Sequence, residues 1–153
     1  MTIQFSTEMR NALLEAHEII LGGQTLSAGS GSGGSITGTA SPPKLQIWSG
    51  SPPANCSLAS TGVKLAEWTL AADWSAAASG GSKALSGVPL ATTGVGAGSA
   101  GYYRFTTNSG ATCHEQGTVT ATGGGGDMTI DNVVIAVSQA VQITGFTKTA
   151  PGA

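Results

Sequence analysis

Apolar positions return along this chain with two different periods. In FSTEMRNALLEAHEIILGG, Phe5 to Gly23, the residues Met9, Leu13, Ala16 and Ile20 recur at spacings of four, three and four. That spacing puts them on one face of a helix. Ala12 and Ile19 widen the stripe, and Arg10, Asn11, Glu15 and Glu18 occupy the other sides. Ser6 or Thr7 supplies an N-cap, and Glu8 falls in the first turn, where the helix dipole favours a carboxylate. Gly22-Gly23 stops the helix, as a C-terminal glycine pair does.

From Lys44 onward the period drops to two, the signature of strands. KLQIWSG sets Leu45 and Ile47 against Gln46 and Trp48 before Pro52-Pro53 ends the run. Val63–Leu70 places Ala66, Trp68 and Leu70 on one face. Residues 71–81 are ambiguous, with Asp73 positioned to cap a short helical turn that ends at Gly80-Gly81. KALSGVPL reads as a weak edge segment, because Pro89 has no N–H to donate to a central ladder. GYYRFTT, CHEQGTVTAT, DMTIDNVVIAV and QAVQITGFTKT follow at near-regular spacing. At Gly145 the alternation of Val141 and Ile143 slips to Phe146, which predicts a bulge. Seven or eight short strands with glycine turns predict a mainly β fold, an antiparallel β-sandwich of jelly-roll or immunoglobulin-like kind.

The expected organisation is an N-terminal helical arm (1–23), a Gly/Ser-rich linker (24–43) and a β-sandwich domain (44–153). The linker composition is that of a flexible tether, so the helix is free to reach a neighbouring chain. Met9, Leu13, Ala16 and Ile20 are then the candidate partner-binding residues. The competing expectation is that the stripe packs on its own sheet.

Composition sharpens the picture. Charged residues make up 9% of the 153-residue chain, there are 24 glycines, and the net charge is −2. Ordinary globular chains carry about 25% charged residues. So few charges suit either a subunit held in an assembly or a Ser/Thr-coated soluble domain. Six basic residues with no basic run do not supply the cation cluster that sequence-independent nucleic-acid binding requires. No apolar stretch approaches the ~20 residues of a membrane span. The opening MTIQFSTEMR lacks the charged and apolar regions of an export signal, so synthesis in the cytoplasm is expected.

Candidate chemistry is sparse, and no catalytic, cofactor-binding or metal-binding residue is assigned. Cys56 and Cys113 are read by default as two buried thiols, with a disulfide as the alternative. Cys113 and His114 are adjacent on a strand and point to opposite faces, so they form no dyad with each other. Gly29, Gly31 and Gly34 give a G-x-G-x-x-G pattern, but it follows a helix rather than a strand, which excludes the dinucleotide reading. Asp127, Asp131 and Asn132 could be cation donors; their spacing matches no EF-hand, and turn roles are simpler. Trp48, Trp68 and Trp74 are either core and interface anchors or a stacking surface for sugar rings.

Several segments together resemble a group of small structural proteins of tailed bacteriophages: MTIQFSTEMRNALLEAHE, LQIWSGSPPANC, ADWSAAASGGSKALSG, GGDMTIDN and ITGFTKTAPGA. The similarity runs over nearly the whole chain and carries no active-site residues. It implies a non-enzymatic virion component with an N-terminal helix and a β-sandwich body. The implied role is first a capsid decoration (cement) protein, with a neck or tail component second; a carbohydrate-binding module is the alternative. Implied partners are the major capsid protein or neck and tail proteins, and the chain itself as a homo-oligomer. The Gly/Ser stretch before the LQI strand departs from the resemblance and favours a reaching arm.

Overall fold

The computed structural model describes residues 3–27 and 35–152. Gly29, Gly31 and Gly34, the glycines of the rejected dinucleotide pattern, lie outside the described residues. Helix α1 spans Thr7–Leu21; Ser6 caps it by accepting a hydrogen bond from the Met9 N–H, and the Gly22 N–H closes it on Glu18. Two short strands follow, β1 (Thr25–Ser27) and β2 (Ser35–Thr37), paired antiparallel with every residue exposed. The linker therefore contains a small hairpin, which its Thr/Ser composition does not announce.

The body is built from β3 (Lys44–Ser49), β4 (Lys64–Thr69), β5 (Ser82–Ala84), β6 (Leu90–Thr93), β7 (Gly98–Thr106), β8 (Cys113–Ala121), β9 (Met128–Ile130), β10 (Val134–Ile135) and β11 (Ala140–Thr149). Their order in the sheet is β4-β3-β7-β8-β9-β11-β5, with β10 on β7 and β6 on β11. The protein is mainly β with one N-terminal helix. The strands are not sorted into two separate antiparallel sheets, however: one hydrogen-bonded path runs through seven strands and curls into a half-barrel. The curl brings β6 beside β4, where Thr92 Oγ1 donates to the Glu67 carbonyl (2.9 Å) and Trp68 Nε1 to the Leu90 carbonyl (3.2 Å).

The pairing is also mixed, because β8 and β9 run parallel, Val119 beside Met128. Parallel neighbours ordinarily need a crossover of a dozen or more residues. Here the glycine run folds straight back over β8. Asp127 Oδ2 accepts from the Thr118 N–H (2.8 Å) and hydroxyl (2.7 Å), and Thr120 Oγ1 accepts from the Gly126 N–H (3.1 Å). A Cβ at Gly126 would come within 2.8 Å of the Thr120 methyl, so the loop can lie this close only without a side chain.

Other local expectations resolve in detail. The register shift between Ile143 and Gly145 is the bulge expected at Gly145. KALSGVPL divides into β5 and β6 around Pro89, and DMTIDNVVIAV divides into β9 and β10. Residues 71–81 form no helical turn. They run extended, with Ser75 bridged to Leu85 and Ser79 to Ser82, and Gly80-Gly81 makes the turn with φ of 61° and 76°. Two successive positive φ values are what a tight hairpin turn requires, and glycine supplies them without strain.

The concave face of the sheet holds the core. Phe105 lies between Trp74 (ring centroids 4.9 Å), Phe146 (5.4 Å) and Tyr103 (5.8 Å). Leu45, Ile47, Leu65, Met128, Ile130 and Ile143 surround them, fully buried.

Candidate protein interface

Helix α1 lies on the body with its polar residues inward. Arg10 donates from Nε (3.2 Å) and Nη2 (3.1 Å) to the Ala150 carbonyl. Asn11 Oδ1 accepts from the Gly81 N–H at 2.8 Å, and Glu15 Oε1 accepts from the Ala78 N–H at 2.6 Å. Gly81 of the two-glycine turn and Ala78 just before it thus offer backbone donors to the helix. The Lys83 side chain, only 3% exposed, reaches from β5 to carboxylates of both Glu15 and Glu18, the latter at 2.6 Å. Burial works against the Lys83 charge, but the two carboxylates outweigh it and raise its pKa. The same exchange leaves the Glu15 carboxyl below the ordinary range, with the Ala78 N–H and Lys83 overcoming its desolvation.

A second cluster lies nearby. His17 Nε2 is 2.7 Å from Glu115 Oε2, and that oxygen also accepts from Lys148 Nζ. Tyr103 donates its hydroxyl to Glu115 Oε1 at 2.7 Å. Burial alone would raise the Glu115 pKa; the His17 hydrogen bond and the Lys148 charge reverse that and hold it low. The Tyr103 hydroxyl is pushed far up, first by burial and then by the Glu115 charge. Partial desolvation of the otherwise exposed His114 ring, with the nearby His17 second, lowers its pKa. The only apolar side chains of α1 that are buried are Leu14 and Leu21.

The predicted stripe consequently faces away from the body. Met9 is 51% exposed, Leu13 44% and Ile20 41%, with Ala16 half-buried between them. The inward set Arg10, Leu14, His17 and Leu21 is displaced by one residue from the outward set, a rotation of about 100°. The sequence alone does not reveal this rotation, since the residues that receive the polar face lie 63 to 140 positions away. Among the described residues twelve large apolar side chains are exposed, and seven belong to residues 3–36: Ile3, Phe5, Met9, Leu13, Ile20, Leu26 and Ile36. These seven fall in under a quarter of the chain, on α1, the residues before it and the β1–β2 pair after it.

The remaining candidates lie elsewhere. Cys56 and Cys113 form a disulfide with Cα atoms 5.3 Å apart. It ties the Pro-rich loop to β8, alongside hydrogen bonds from Arg104 Nη2 to the carbonyls of Cys56 (2.6 Å) and Leu58 (2.9 Å). His114 is exposed beside a sulfur that carries no thiol. Asp127, Asp131 and Asn132 each accept from backbone N–H groups of neighbouring strands or turns, as turn residues do. No group of three His, Cys, Asp or Glu side chains among the described residues is arranged to hold a metal ion. Trp68 and Trp74 are buried in the core, and Trp48 is half-buried on the rim of an open cleft of about 960 Å³ with Lys64 and Arg104. No family model matches the chain, and neither a curated protein nor a solved structure does.

Proposed function

We propose that this chain is a non-enzymatic structural protein of a bacteriophage virion. Its first expected role is a capsid decoration or cement protein, with a neck or tail component as the second. One observation carries the reading: α1 turns Arg10, Glu15 and Glu18, with Leu14 and Leu21, toward its own body and leaves the stripe of Met9, Leu13 and Ile20 largely toward solvent. An amphipathic helix of an isolated domain buries the apolar side. Reversal of that preference makes sense where another polypeptide covers the stripe. Full burial of a Met, Leu or Ile side chain stabilises by about 1.5–3 kcal/mol relative to exposure. These three are already half covered, so each contributes roughly half of that. Repetition over many symmetric copies converts such a modest contact into firm attachment through effective concentration.

The resemblance to small structural proteins of tailed phages supports placing that assembly in a virion, and the low charge agrees with it. A jelly-roll or immunoglobulin-like sandwich is the body that the resemblance implies, alongside the single curled mixed sheet described above. The carbohydrate-binding alternative has less support, because two of its three tryptophans are in the core.

Quantitative mass spectrometry of purified virions tests the proposal. Hundreds of copies per particle support capsid decoration, and about a dozen support the neck or tail. Absence of the chain from particles made in its presence overturns the virion reading.

A further inference from the structure

We infer that the cleft on the outer face of the sheet binds an acidic saccharide, with Arg104 receiving its carboxylate and Trp48 its ring. Leu45 and Ile47 of β3, and Tyr103 and Phe105 of β7, belong to the core. The residues that alternate with them point to the opposite face. There Gln46 lies beside Arg104 and Lys44 beside Thr106 in the ladder. Of the five buried polar or charged side chains among the described residues, Gln46, Arg104 and Thr106 all line this one cleft. Polar groups are costly to bury without partners, so their convergence under an open cavity of about 960 Å³ points to a polar ligand.

Charge sets the sign of that ligand. Arg104 is 5% exposed, and no carboxylate among the described residues pairs with it. Its Nη2 is spent on the carbonyls of Cys56 and Leu58, and its Nε is buried with no hydrogen-bond partner. Lys64 and His114 also line the cleft, and no Asp or Glu does. Glu67 touches Lys64 at 2.7 Å but also Lys44 at 3.0 Å, so one carboxylate stands against two lysines. In a chain of net charge −2 this is a local surplus of positive charge, and a walled cleft focuses its pull on an anion. A single unpaired guanidinium balances one negative charge, which a carboxylate carries; a phosphate group carries nearly two.

The rest of the lining selects a sugar. Trp48 is half-buried, and its Nε1 donates to Gln46 Oε1 at 3.2 Å, which fixes the indole. An indole presents apolar area on which the C–H face of a sugar ring stacks. Ser57, Ser60 and Thr112 add hydroxyls around it, which suit a polyhydroxylated ring better than an apolar ligand. The volume lies at the upper end of the roughly 300–1,000 Å³ of small-molecule sites. The Cys56–Cys113 bond joins the two loops that wall the cleft, so its shape is set before a ligand arrives and less ordering is needed on binding.

Titration of the isotope-labelled full chain tests this, followed by nuclear magnetic resonance of the Trp48 indole N–H and the Gly110 and Ala111 amides. The probes are oligogalacturonate, oligomannuronate and a glucuronate–N-acetylglucosamine tetrasaccharide. At least one should bind saturably with a Kd of about 0.1–1 mM and move those signals. Methyl esterification of its carboxylates should weaken binding about tenfold or more. R104K and W48L should each weaken it about tenfold, and K64Q about threefold. No saturation by any of the three up to about 10 mM, an ester that binds as well as the acid, or shifts confined to residues away from the cleft overturns the inference. Sulfate or acetate binding as tightly as the uronate also overturns it, and would mean an adventitious ion only. If R104K lowers the thermal midpoint by releasing the loop, W48L and K64Q decide, and indifference of both overturns the assignment. Binding at this cleft and a place in a virion are separate properties, so failure of either measurement leaves the other standing.

Discussion

The Lys83 ammonium lies 2.6 Å from a carboxylate oxygen of Glu18, with Glu15 as its second partner, and its side chain is almost completely removed from water. A lysine buried on a β-strand is tolerated because the helix brings two acids to it. The helix in turn is held to the sheet by charge and backbone donors together with the buried Leu14 and Leu21, while Met9, Leu13 and Ile20 stay largely exposed.

Replacing that lysine should loosen the helix. K83M keeps the stem and removes the charge, leaving Glu18 without its cation. Loss of one partner of a buried pair costs about 3–5 kcal/mol, reduced here to roughly 2–3 because Glu15 is partly hydrated. The thermal midpoint should fall by about 5–10 °C. Adding E18L should recover most of the loss, since well-packed apolar groups replace buried pairs at little cost. A K83M midpoint within a degree of wild type would show that the pair holds nothing.

Acid should weaken the same attachment. Glu115 and Glu15 are held below the ordinary carboxylate range. A carboxyl with a lowered native pKa contributes stability above its unfolded value and loses it as pH falls through the native one. Stability should therefore decline below about pH 4.5. In E115Q the protein should be less stable at pH 7 but lose less between pH 5 and 3, the slope shrinking by up to about 1.4 kcal/mol per pH unit. At the alkaline end Lys83, raised above 10.5, keeps its contribution until pH exceeds that value. Urea titrations at several pH values measure both effects; parallel curves for wild type and E115Q would contradict the assignment.

Gly81 packs directly against the helix, its N–H held by Asn11. A Cβ there would sit 2.4 Å from Arg10 Cζ, at a φ of 76°. G81A should cost about 1 kcal/mol from backbone strain and about as much again by displacing the guanidinium from the Ala150 carbonyl. In an R10A background only the first cost should remain. A double-mutant cycle in urea gives the coupling, and equal costs in both backgrounds would mean that Arg10 is not held at this turn.

Local signals in the sequence carried well. Ser6 and Gly22 bound the helix and Gly145 marks the bulge, whereas KALSGVPL, read as one edge segment, is divided between β5 and β6. What failed to carry was the fate of the polar face of α1. Arg10, Asn11, Glu15 and Glu18 look like a solvated side until Gly81, Lys83 and Ala150 are placed against them, and nothing local encodes those placements. The parallel junction of β8 and β9 was hidden for a similar reason. A glycine run reads as a turn, and its ability to lie flat on Thr120 shows only when the strand beneath it is known. The β1–β2 hairpin escaped because both of its strands are exposed on each face and leave no alternation.

The Phe5 N–H donates to the Gly152 carbonyl at 2.9 Å, and Arg10 reaches Ala150. A ribosome delivers the helix well before these acceptors, which lie 140 positions further along in the case of Arg10 and Ala150. During translation the nascent helix therefore has neither its guanidinium site nor its Lys148–Glu115 partner. The contacts that fix its orientation can form only after β11 has been made, so docking of the helix is a late step of folding.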